Sequence, residues 1–212
     1  MRSMNLSSSG PLLQLISNGL QIWIRGQCDQ VGELKLSLKG SAFQLLRGKL
    51  DAVLLTARKV SFQKLPLLRV ELQSGVLQAH INPSNPGQPL QLDHSFEIDG
   101  EVVLNGTDLN RALATDRWRW LGDLLSEQLI GITPLRSLTI DNDLLELQAA
   151  VVTTQDPVKA RFRLKAAEGT IEITHLETSK SFLLPMDPGI NIHDAHLKAG
   201  QLILQGKAIV SP

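Results

Sequence analysis

Period-two alternation of apolar and polar residues runs through most of this chain. Leu34, Leu36 and Leu38 interleave with Lys35, Ser37 and Lys39. Leu68, Val70 and Leu72 interleave with Arg69, Glu71 and Gln73, and Val158, Ala160, Phe162, Leu164 and Ala166 with Lys159, Arg161, Arg163 and Lys165. Successive side chains of an extended strand point to opposite faces, so each segment turns one apolar face to a core and one polar face to water, as in an antiparallel sheet. Repeated this often, the pattern describes a long, curved sheet with a large aliphatic face. What covers that face decides what the chain does: helices, a second sheet, or a lipid.

The 212 residues fit one large β-rich domain. Twenty-one basic and 21 acidic side chains cancel, which argues against a general nucleic-acid binder, because such a protein needs a basic excess. The 39 leucines stand against five Phe, three Trp and no Tyr. An interior of that kind suits a plain aliphatic core or walls for acyl chains. It does not suit an aromatic-rich protein interface or a base-stacking platform. Cys28 is the only cysteine, which excludes an intramolecular disulfide and a cysteine metal cluster. The apolar stretch from Pro11 to Ile24 is interrupted by Gln14, Ser17, Asn18 and Gln21. It therefore lacks the unbroken run of a secretion signal, and no run in the chain approaches the ~20 residues of a membrane span. The expected location is cytoplasmic or peripheral to a membrane.

Residues 1–10 read as disordered. Leu12, Ile16, Leu20 and Trp23 recur at helical spacing and predict a helix over 12–24. Strands are expected at 34–39, 50–62, 67–73, 76–82, 90–93 and 96–104, with a single helical turn at Ser41–Leu46. A second helix is expected from an N-cap at Thr107 to Leu129, stopped by Gly131, with an apolar face of Leu109, Leu113, Trp118, Leu121, Leu125 and Leu129. Strands then resume at 135–140, 144–154, 158–166, 170–176, 190–193 and 201–210, with tight turns at Asn142-Asp143 and Glu168-Gly169. The fold class is α+β: about a dozen strands in a strongly curved antiparallel sheet wrapped around two amphipathic helices. The span 11–212 reads as a single domain; two fused half-units, 11–105 and 106–212, are the alternative organisation.

A search for chemistry is mostly negative. The chain has no Gly-x-Ser-x-Gly elbow, no glycine-rich phosphate loop and no His-Glu-x-x-His. His193-Asp194-Ala195-His196 is one local cluster, read as a polar turn between short strands, because residues three apart on a strand face opposite ways. Asp93-His94 has no partner serine in a recognisable setting, and Cys28 has no basic neighbour to activate it. No catalytic residue, metal site or cofactor is expected. Lys159, Arg161, Arg163 and Lys165 form a basic stripe that is either a solvated outer face or a contact for anionic head groups. Trp23 and Trp118 fall on helix core faces, whereas Trp120 lies beside the seam, where it would serve as a membrane-interface anchor.

Several segments carry a resemblance. The run Leu45-Leu46-Arg47-Gly48-Lys49-Leu50-Asp51-Ala52-Val53 precedes a basic-hydrophobic strand from Thr56 to Phe62, followed by Leu68-Arg69-Val70-Glu71-Leu72. The second helix is entered through Val102-Val103-Leu104-Asn105-Gly106-Thr107-Asp108-Leu109-Asn110. Over roughly residues 11–210 the chain resembles the bacterial LmeA-like phospholipid-binding family. That resemblance implies a tubular lipid-binding-like fold, in which a curved antiparallel sheet wraps a long helix and leaves an apolar cavity for acyl chains. It supplies no catalytic residues. Envelope members carry a secretion signal or an anchor, which is not read here.

Three functions remain to be weighed. The first is a non-enzymatic phospholipid or acyl-chain binder, with candidate lining residues Ile16, Leu20, Leu36, Leu54, Val70, Leu72, Leu121, Leu125, Leu147, Phe162 and Leu164. The second is a structural or interaction scaffold with a fully packed core. The third is an esterase acting on lipid, which lacks a nucleophile–base setting. Cavity volume discriminates the first two, since a core at normal packing density leaves no room for a chain.

Overall fold

The computed structural model describes residues 11–41, 43–44, 47–81, 90–150 and 157–211. The expected disorder of 1–10, part of the helical turn at 41–46, and the ends of the expected strands 76–82 and 144–154 lie outside them. In chain order the elements are α1 (Pro11–Gln27), β1 (Gln30–Lys39), β2 (Lys49–Leu50), β3 (Ala52–Phe62), β4 (Leu65–Ser74), β5 (Leu77–Ile81), β6 (Leu90–Leu92) and β7 (Phe96–Asn105). There follow α2 (Gly106–Leu113), α3 (Arg119–Ile130), β8 (Leu135–Asp141), β9 (Leu144–Ala149), β10 (Val158–Ala167), β11 (Thr170–His175), β12 (Ser181–Leu183), β13 (Ile190–Lys198) and β14 (Gln201–Val210). The pairings are antiparallel throughout, which places the chain among α+β folds.

The expectation of one long sheet is corrected. The strands divide into a six-stranded sheet ordered β1-β3-β4-β7-β14-β13, a five-stranded sheet ordered β12-β11-β10-β9-β8, and a small sheet ordered β2-β5-β6. None of them closes into a barrel. The six-stranded sheet draws on both halves of the sequence, because β14 pairs with β7 along its whole length, from Gln201–Asn105 to Val210–Phe96.

Alternation sets the two faces of this sheet. On its inner face Leu36, Leu55, Leu72, Gly100, Gly206 and Ile192 form one cross-strand row. The outer face carries Thr56, Glu71, Glu101 and Gln205 in the adjacent row. In β13 the apolar residues Ile190 and Ile192 are followed by Ala195 and Leu197, so the parity switches. A bulge between Ile192 and Asp194 absorbs the switch and keeps all four on the inner face. The cluster at His193–His196 is thus a bulge inside a continuous strand, not a turn between two.

Gly100 and Gly206 face each other in the middle of the sheet. A Cβ on Gly206 would lie 2.6 Å from the Asn191 carbonyl oxygen, and one on Gly100 would press into the Glu71 carbonyl. Neighbouring backbones approach closely on both sides, so only glycine fits at these two positions.

The predicted second helix is broken in two. Its N-cap is Asn105, not Thr107: the Asn105 Oδ1 accepts from the backbone N–H of Thr107 at 2.9 Å and of Asp108 at 3.4 Å, while the Asn105 backbone is still extended. After Leu113 the Thr115 hydroxyl donates to the Ala112 carbonyl at 2.6 Å, competing with the helical ladder. The chain restarts as α3 at Arg119 and ends at Gly131, in the left-handed conformation, as expected. Both predicted tight turns are present, with positive φ at Asn142, Asp143, Glu168 and Gly169.

Helix α1 packs on β1 and the small sheet, burying Leu13, Ser17 and Leu20 beside Leu36, Leu38, Leu50 and Leu77. Its Ser17 hydroxyl donates to the Leu36 carbonyl at 2.6 Å. Helices α2 and α3 pack on β8 of the five-stranded sheet, α3 also on β9 and α2 also on β4 and β7, and one buried cluster holds Leu113, Leu125, Leu147, Phe162, Ile173 and Leu197. Gly206→Ala is expected to lower stability by about 1–3 kcal/mol, as overpacking does. Gly19 lies on the open side of α1 with nothing within 4 Å of an added Cβ, so Gly19→Ala is expected to raise stability by about 0.5–1 kcal/mol. Urea unfolding of both variants checks the pair, and shifts of the same sign would contradict this account of the sheet centre.

Candidate functional site

The described helices cover the inner face of the six-stranded sheet incompletely, and its middle is left only partly buried. Strand β14 is flanked by β7 and β13, yet Leu202 and Leu204 on its inner face are only partly buried. So are Leu72, Ile98 and Val102 on the neighbouring strands. These residues form the floor of an open trough of about 370 Å³. Leu109 and Leu113 of α2, Trp118 and Leu121 at the start of α3, and Ile171, Leu184 and Met186 make its walls. The volume falls in the range of small-molecule pockets, roughly 300–1,000 Å³. Lys207 is the one charged residue among its lining, and its ammonium group is engaged by Glu97 at 2.8 Å.

A second apolar cavity of about 170 Å³ lies under α1, lined by Leu20, Trp23, Ile24, Leu36, Leu55 and Phe96 among others. Leu72 and Ile98 line both cavities. The two therefore abut along the same sheet face, one toward α1 and one toward α2 and α3. Another depression, about 520 Å³, lies among the outer-face residues Thr56, Glu71, Gln73, Asp99, Glu101 and Gln205. Size does not make it the better site for an apolar ligand: its lining carries the carboxylates of Glu71, Asp99 and Glu101, the last engaged by Arg69 and by Gln205 at 2.9 Å. Desolvating such groups against an alkyl chain is costly.

The predicted lining residues separate into three groups. Leu20, Leu36, Leu72 and Leu121 line the cavities. Val70, Leu125, Leu147 and Phe162 are buried in packed clusters, Leu147 and Phe162 completely, and Ile16 and Leu164 pack against such clusters. Leu54 alternates onto the outer face, opposite Ser37 and Gln73, while Val53 and Leu55 face the small cavity. Sequence reasoning missed Val102, Leu202, Leu204 and Met186. The available signal was Gly206 inside the alternating segment 201–210, since a glycine within a strand marks a close backbone approach.

The basic stripe lies on the outer face of the five-stranded sheet. Arg161 meets Glu146 at 3.5 Å and Lys165 meets Glu172 at 3.0 Å. Hydrogen bonds that the Glu172 carboxylate accepts from Lys165 and Ser181 hold its pKa below its ordinary range. Lys159 and Arg163 have no carboxylate partner among the described residues. Trp120 is 56% exposed and stacks on Trp118 with 6.4 Å between ring centroids. Cys28 is half-buried, its thiol donates to the Ile24 carbonyl at 3.4 Å, and burial together with neighbouring Asp29 pushes its pKa up. A protonated, shielded thiol is a poor nucleophile. His196 Nδ1 lies 2.8 Å from Asp194 Oδ2 on the outer face of β13, the face opposite the trough floor. Among the described residues no group of three His, Cys, Asp or Glu side chains could hold a metal ion.

A model of the LmeA-like phospholipid-binding family matches residues 8–207, nearly the whole chain. No curated protein and no solved structure matches.

The corner beside the trough is held by a carboxylate. Asp29 Oδ2 accepts from the Lys64 backbone N–H at 2.7 Å, and Asp29 Oδ1 meets the Lys64 ammonium at 3.0 Å. These contacts, the backbone one foremost, hold the Asp29 pKa below its ordinary value. A depressed folded-state pKa stabilises the fold at pH values above the ordinary aspartate range, about 3.9, and that contribution is lost as the pH falls through the lower folded value. Thermal melts across acid pH should therefore show wild type losing more stability than Asp29→Asn on acidification; parallel profiles would remove Asp29 from the account.

Proposed function

The chain belongs to the LmeA-like phospholipid-binding family, and from that premise we propose that it holds the acyl chains of a phospholipid along the trough without acting on them chemically. The observation that carries this reading is the half-exposed aliphatic floor on a central strand. A scaffold with a filled core would bury Leu202 and Leu204 under helices, as Leu147 and Phe162 are buried on the other sheet. Contiguous apolar surface left open on a globular fold marks a binding site.

The arrangement works as a half-tube. The six-stranded sheet is its floor, with α1 and the α2–α3 pair standing at its two ends, the role that the wrapped helices play in a tubular lipid-binding architecture. Residues 11–211 act as one unit in this reading, since β14 completes a sheet begun by β1. Binding energy comes from apolar area removed from water, about 25 cal/mol per Å², so the chains need no specific polar contact inside. The head group stays outside, where the rim is polar. Catalysis is not part of the proposal: burial and neighbouring Asp29 raise the Cys28 pKa, and the Asp194–His196 pair faces away from the trough. No helix of the described residues is long and apolar enough to cross a membrane.

Native mass spectrometry of protein purified without detergent tests the reading, with near-stoichiometric phospholipid as the expected result. A clean apo mass, unchanged after incubation with liposomes, would overturn it. Two tryptophan substitutions sharpen the test. Leu121→Trp projects into the trough and should abolish lipid uptake while the protein stays folded. Leu147→Trp overpacks a filled core and should cost about 1–3 kcal/mol or more.

A further inference from the structure

We propose that the β3–β4 hairpin tip and the α2–α3 joint form a single docking rim that seats the trough mouth on the interface of an anionic phospholipid bilayer. This rests on the carrier reading above and adds the surface through which the carrier meets its membrane. Among the described residues the exposed aromatic rings are Phe43, Phe62 and Trp120. Two of the three stand at the same mouth. Phe62 pairs with Leu65 across the two-residue turn Gln63-Lys64, and Leu65 lines the trough. Trp120 stacks on Trp118, which also lines the trough. Each exposed ring is thus the immediate neighbour of a trough wall.

The two segments are fastened to one another. Arg117 Nη2 donates to Gln63 Oε1 at 2.7 Å, and Trp118 Nε1 donates to the Gln63 carbonyl at 2.8 Å. Gln63 and Lys64 both have positive φ, and the Lys64 N–H is held from behind by Asp29. Phe62 and Trp120 are consequently presented together on one rigid rim. Aromatic rings with one apolar side and one polar neighbour partition into the membrane–water interface.

Charge at the rim selects the kind of surface. Lys64, Arg117 and Arg119 are exposed cations. Lys64 is offset by Asp29 and Arg119 by Asp116, but Arg117 is bonded to the neutral Gln63 and has no carboxylate partner among the described residues. The rim is left with a net positive charge, complementary to anionic head groups. The basic stripe on β10 is the weaker candidate: two of its four cations are paired, and neither exposed ring of the trough mouth lies on its strand.

Vesicle co-sedimentation with the full chain tests this, using phosphatidylcholine alone and phosphatidylcholine mixed with phosphatidylglycerol. Wild type should bind both and prefer the mixture. The double variant Phe62→Ser/Trp120→Ser, altered only at exposed positions, should lose at least about tenfold in vesicle affinity while circular dichroism stays native. Lipid carried through purification should be unchanged in that variant. Unchanged vesicle binding in the double variant would overturn the rim, as would a change in oligomeric mass with binding intact, which would make a second copy the occupant. No preference for phosphatidylglycerol would overturn the anionic surface. Loss of co-purified lipid from wild type with vesicle binding retained would sink the carrier reading and leave the rim standing.

Discussion

The antiparallel pairing of β7 with β14 is the interaction on which the rest of the molecule depends. It joins Phe96–Asn105 to Gln201–Val210 without a break. Through it, β1, β3 and β4 on one side and β13 on the other become a single floor. Because β13 also packs beside the five-stranded sheet, the same ladder brings α2 and α3 over that floor. Had β14 paired elsewhere, the inner face would end at β7 and the trough would have no second half.

That floor is shaped by what it lacks. At its centre Gly100 and Gly206 present no side chain, and the flanking backbones close in on them. Larger residues there would press into Glu71 and Asn191 and force the strands apart. Helices occupy the two ends of the face and leave the middle half-covered. The outcome is a contiguous apolar surface that is only partly buried. On the other side of the same strands Glu101 is engaged by Arg69 and Gln205, and Lys207 by Glu97, so that face is polar where the inner one is apolar.

The strands were legible because period-two alternation is a direct consequence of strand geometry, and twelve expected segments correspond to strands of the structure. What alternation could not convey was which strands share a sheet: Leu36 and Leu147 have the same pattern, yet one lines a cavity and the other is sealed in a core. Leu54 was misplaced because Val53, Leu54 and Leu55 are all aliphatic, and a run of three hides which face is inward. The helix break was present as a five-residue step from Leu113 to Trp118, out of phase with a helical repeat, but it takes the Thr115 hydroxyl and the hairpin contact at Gln63 to make it a joint. The bulge at His193 was likewise written as a parity switch. Family resemblance pointed to the lipid; the position of the trough needed long-range pairing that no local pattern contains.

The β7–β14 ladder also imposes an order of events during folding. Strands β1, β3, β4 and β7 can associate through near neighbours, whereas β14 lies far along the chain, and non-local pairing of this kind is slow. Until it arrives, β7 presents an unpaired edge and the aliphatic floor is half built, a state that invites edge-to-edge association with other chains. On the proposed reading, a lipid settling on the completed floor would withdraw molecules from that vulnerable population by mass action. Cargo would then be the last component of the fold as well as its passenger.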